Sequence, residues 1–131
     1  MAFLIHMVDN GNCIPPFEYL PCSAITPKVG MALKFTSGKL AICSGTTKPE
    51  YISMREETSA VTAGDIIPVV RVTPDIVFEV DADTGEDLTG INLGEKVTIA
   101  SGGMKLTDTT TSGVAEIVEK LSATKARIRF S

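Results

Sequence analysis

The chain has 131 residues, 44% of them hydrophobic and 21% charged, with a net charge of −4. One domain of this size buries enough surface to hold a core without metals or disulfides. The acidic balance argues against non-specific nucleic-acid binding, which needs a basic face. No apolar run approaches the roughly 18 residues a membrane-spanning helix needs. The start, "MAFLIHMVDN", has no basic segment ahead of its apolar residues and does not read as a signal peptide.

Residues 1–23 stand apart from the rest. Pro15, Pro16 and Pro21 remove backbone donors and fix φ, so this piece is neither a helix interior nor a central strand. It reads as an extended N-terminal arm preceding a single β domain over 24–131. Phe3, Leu4, Ile5, Phe17, Tyr19 and Leu20 make the arm too apolar for a solvated tail. It must lie on its own domain or on a partner, and these six residues are the candidates for contact with a partner or another subunit.

From Ile25 onward the text is strand and turn. "ALKFT" and "KLAIC" flank Ser37-Gly38, a two-residue hairpin signal. Leu33 and Phe35 share one face, so both are expected in the core. "YISMRE" reads as a further strand. "IIPVVRV" carries Pro68, which places it at a sheet edge or a strand start. "IVFEV" (76–80) alternates cleanly, and "KVTIA" and "MKLTD" read as strands around Ser101-Gly102-Gly103. Residues 114–121 fit either a strand or a short helix. The β-branched Val114, Ile117 and Val118, with the alternating "ARIRF" that follows, favour a hairpin. Eleven glycines and short strands at near-regular spacing point to an all-β fold, a small β-barrel or β-sandwich.

One stretch has an internal echo. "VGMALKFTSGKL" (29–40) aligns with "LGEKVTIASGGMKL" (93–106). Gly30 meets Gly94, Leu33 meets Val97, Phe35 meets Ile99, and Ser37-Gly38 meets Ser101-Gly102. Either two similar hairpins are packed in one domain, or the match is what any two hairpins share.

Chemistry-bearing patterns are sparse. His6 is the sole imidazole, and no nucleophile elbow, P-loop or dinucleotide fingerprint occurs. Glu56 and Glu57 are neighbours in sequence, so on a strand they would face opposite ways. No enzyme activity and no cofactor is expected. Cys13, Cys22 and Cys43 lack the spacing of a zinc site and read as reduced thiols, with a Cys13–Cys22 bridge left open. Asp81, Asp83 and Asp87 flank Gly85 and are the weak candidates for a calcium ligand set. The EF-hand pattern fails, because glycine stands at the fifth position of the run and Asn92 at the twelfth. A solvated acidic turn is the simpler reading. Lys125, Arg127 and Arg129 alternate along one strand face, as a solvated face does.

The order of segments resembles the capsid decoration, or cement, proteins of tailed phages and prophages. The residues that carry the resemblance are Gly30, Leu33, Ser37-Gly38-Lys39-Leu40, Ser44-Gly45, Pro49, Tyr51, Ile52, Ala63-Gly64-Asp65 and Val69 to Val72. They follow the Pro- and aromatic-containing "PFEYLPCSAI", and the resemblance covers roughly residues 17–80. It implies a structural virion protein, made in the cytoplasm of a bacterial host. Its partner would be the major capsid protein of a phage, bound from outside so as to stabilise contacts between capsomers. It further implies a homo-oligomer, with a trimer favoured. The charge and the absence of a long apolar run lead to the expectation of no nucleic-acid or membrane partner. The competing expectations are a calcium- or ligand-binding β module and a tail or neck component of the virion.

Overall fold

A computed structural model describes residues 3–8 and 15–131. Ten strands follow in chain order: β1 (Leu4–Val8), β2 (Glu18–Pro21), β3 (Ala32–Thr36), β4 (Lys39–Ile42), β5 (Tyr51–Ser53), β6 (Ile66–Arg71), β7 (Ile76–Asp81), β8 (Lys96–Val97), β9 (Ala115–Ser122) and β10 (Lys125–Phe130). They form two five-stranded antiparallel sheets, consistent with a β-sandwich, and no helix occurs among the described residues. The first sheet runs β1-β7-β10-β9-β8 and the second β2-β6-β5-β3-β4.

The turn chemistry explains the hairpins. Ser37 and Gly38 both take positive φ, 51° and 80°, which matches the right-handed twist of the flanking strands. Thr36 then pairs with Lys39 and Leu33 with Ile42. At the other end of the chain, Lys125 pairs with Ser122 and Phe130 with Ala115. The segment 114–121 is therefore a strand, because its neighbours β8 and β10 supply ladder partners on both sides.

The two sheets enclose one apolar cluster. Ile76, Phe78, Val80, Ile117, Ala126, Ile128 and Phe130 enter it from the first sheet, and Ala32, Cys43, Ile52 and Val70 enter from the second. The second sheet buries its other face as well. Leu33, Leu40, Tyr51, Ile67 and Val69 gather there with Cys22 and Met31. Adjacent residues such as Ala32 and Leu33, or Val69 and Val70, thus serve different clusters, as a period of two requires. This sheet curls until its ends meet. Cys22, just past β2, bridges in parallel to Leu40 of β4, and Ser23 N donates to Leu40 O at 2.9 Å.

Three strand expectations change. Phe35 does not join Leu33 in the core; it is 38% exposed and lies edge-on to Tyr51, with 5.5 Å between ring centroids. On β3, strand β5 pairs only with Ala32 and Leu33, so the ladder stops before Phe35. Pro68 lies inside β6, between β2 and β5 in the sheet order, rather than at a strand start. Its carbonyl accepts from Met54 N, one residue beyond the end of β5, so the missing N–H faces a side where the ladder has stopped. "MKLTD" is not a strand: Leu106 makes only isolated bridges, to Ala82 and Ile99.

The internal echo has a geometric counterpart. Gly30 and Gly94 take φ of 86° and 89°, and Gly38 and Gly102 take 80° and 96°. The second copy forms only β8 and the Ile99–Leu106 bridge. Just past the first copy, Gly45 exchanges hydrogen bonds of 2.7 and 3.1 Å with Ile99 of the second. Gly103 O accepts from Ala32 N, which ties the second turn to β3. A Cβ at Gly103 would sit 2.9 Å from Cys43 O, so glycine is needed there for contact as well as for its φ of 72°.

Candidate interaction surface

The described part of the N-terminal arm lies on its own domain, with one strand in each sheet. β1 pairs with β7, Ile5 opposite Phe78 and Val8 opposite Ile76. β2 pairs with β6, Tyr19 opposite Pro68 and Pro21 opposite Ile66. Alternation then sorts the six apolar arm residues. Phe3 turns inward: it is 1% exposed and packs against Phe130 at 5.1 Å and Phe78 at 6.4 Å. This corrects its expected place on an interaction surface; once β1 docks on β7, the aromatic core is the nearest apolar volume. Leu20 packs against the second cluster, and Ile5 packs partly on the first. Leu4 is half-buried. Only Phe17 and Tyr19 stand well clear of the core, at 44% and 66% exposure.

Phe17 and Tyr19 do not stand alone. Tyr19 lies beside Pro68, and the neighbouring pair on the same face is Pro21 and Ile66, the latter 54% exposed. On the other side of Phe17 is a groove of about 280 Å³ lined by Phe3, Leu4, Ile5, Phe17, Val29 and Met54. Among the described residues, no charged side chain lines it. Ile66 and Met54 were not singled out from sequence; the signal available was the unbroken apolar pair Ile66-Ile67, one of which must face away from the core.

The charges around this face are already paired. Glu56 accepts from Val29 N at 3.0 Å and meets Lys28 Nζ at 3.2 Å. Those two contacts, the Val29 N–H first, hold its carboxyl below the usual glutamate range. Arg55 pairs with Glu57. Glu18, on the opposite face of β2, takes Arg71 in a forked contact of 2.9 and 3.0 Å. That contact, above all, raises the guanidinium pKa. The Arg71 guanidinium also lies 5.2 Å from the Tyr51 ring centre.

The outer face of the first sheet is a ladder of ions. Arg127 reaches Glu119 at 2.8 Å and Glu79 at 3.3 Å, Lys125 lies 3.8 Å from Asp81, and Arg129 donates to Pro74 O. Each of these cations thus meets a carboxylate or a carbonyl along the face.

The acidic turn does not bring its three aspartates together. Asp81 belongs to β7 and faces Lys125. Asp87 accepts from Thr89 N at 2.8 Å, and its contacts with Thr89 hold its carboxyl below the usual range. The closer carboxylate neighbours are Glu86 and Asp108, which the sequence left 22 residues apart. Desolvation, then Asp108, push Glu86 upward. Among the described residues, no group of three or more His, Cys, Asp or Glu side chains is placed to hold a metal.

Cys22 and Cys43 are free and buried; Cys13 lies outside the described residues, and with it the question of a Cys13–Cys22 bridge. Burial raises both thiols, Cys43 to about 11, and Cys43 Sγ donates to Thr47 O at 3.1 Å. Thiols held protonated in this way are poor nucleophiles.

Comparison with family models, with curated proteins and with solved structures gave no match.

Proposed function

We propose that this chain is a structural virion protein that decorates a tailed-phage capsid, seated on the capsid exterior through the face built by Phe17, Tyr19 and Ile66. The observation that carries the reading is this apolar face of described residues, continuous with the groove beside β1, on a molecule whose other broad face carries paired ions. The cores of protein interfaces are rich in aromatic residues and poor in charge. Pro21 and Pro68 stiffen the face, so little ordering is lost on contact.

The residues behind the resemblance to decoration proteins fall where a rigid frame needs them. Gly30, Gly38, Gly45 and Gly64 hold positive φ at turns, and Leu33, Tyr51, Ile52 and Val69 are buried. They explain the frame, and the arm supplies the contact.

Magnitudes favour an arrayed partner. At about 200 Å² per large side chain, the three exposed residues offer roughly 300 Å². At about 25 cal/mol per Å² that is about 7 kcal/mol gross. It is comparable with the roughly 4–15 kcal/mol that association costs, so one such contact binds weakly. Several copies on a lattice, or a homo-oligomer such as a trimer presenting several faces, convert weak contacts into firm attachment.

The test is co-sedimentation of the purified protein with capsids built from the major capsid protein of the same phage or prophage genome. Binding with a raised capsid melting temperature supports the proposal, as does cryo-EM density for the protein on capsomers rather than on tail or neck. Capsids that neither bind it nor change in stability exclude it.

A further inference from the structure

We draw no further inference here: the strongest candidate, the apolar groove between β1 and Phe17 that Val29 and Met54 complete, belongs to the surface already described, and nothing in the structure shows what else would cover it.

Discussion

Replacing Phe3 with alanine separates a core strand from a loosely attached arm. The ring is 1% exposed and meets both Phe78 and Phe130. Losing its burial costs about 2–3 kcal/mol in transfer free energy. A cavity of about 100 Å³ adds roughly 2 kcal/mol where the surroundings do not collapse. The expected loss is therefore about 4 kcal/mol, a large share of the roughly 5–15 kcal/mol that holds a domain of this kind together. Phe17→Ala is the matched control, since its ring is 44% exposed and has half its surface in water already. It should cost no more than about 1.5 kcal/mol. Urea denaturation followed by circular dichroism measures both. Equal effects, or a loss below about 1.5 kcal/mol for Phe3→Ala, would show that β1 is not part of the cooperative core.

Three further predictions concern the frame and its titrating groups. Gly113→Ala should cost several kcal/mol in the same denaturation experiment, because its Cβ would lie 2.2 Å from Lys96 O. Gly38→Ala meets open space and should cost only the left-handed penalty of about 1–2 kcal/mol. Native Cys22 and Cys43 should resist iodoacetamide at pH 8 and react on unfolding, read by mass spectrometry; rapid native labelling of Cys43 would contradict its burial and raised pKa. Glu56 has a folded pKa below its unfolded value, so its contribution is present above the ordinary glutamate range and is lost as pH falls through the folded pKa. Glu56→Gln should therefore flatten the acid limb of the stability curve, and an unchanged limb would discount the Val29 and Lys28 contacts.

Local chemistry made much of the frame legible. Ser37-Gly38 announced a tight hairpin because few residue pairs accept two successive positive φ angles, and 37 and 38 adopt them. The alternation of Ile76, Phe78 and Val80, and of Ala126, Ile128 and Phe130, placed each set on the buried side of its strand. What sequence did not show was decided by neighbours far along the chain. Phe35 alternates with Leu33 but has no ladder partner on β5, which meets β3 only at Ala32 and Leu33. Pro68 sits within the sheet because β5 ends one residue short of Met54. Asp81 and Asp87 are close in sequence, yet strand β7 and the turn after it give them different partners, Lys125 and Thr89. The candidate surface was half legible: an apolar arm needs a cover, but only pairing with β6 and β7 shows that Phe3 is inside and Tyr19 outside.

The central claim is that the Phe17 and Tyr19 face seats this protein on a capsid. Its most direct test is capsid co-sedimentation of the Phe17→Ala, Tyr19→Ser double variant beside the wild type, with urea curves taken on both. The claim predicts that the wild type pellets with capsids while the double variant, still folded, stays in the supernatant. Wild-type protein left in the supernatant, or a double variant that pellets equally well, would contradict it.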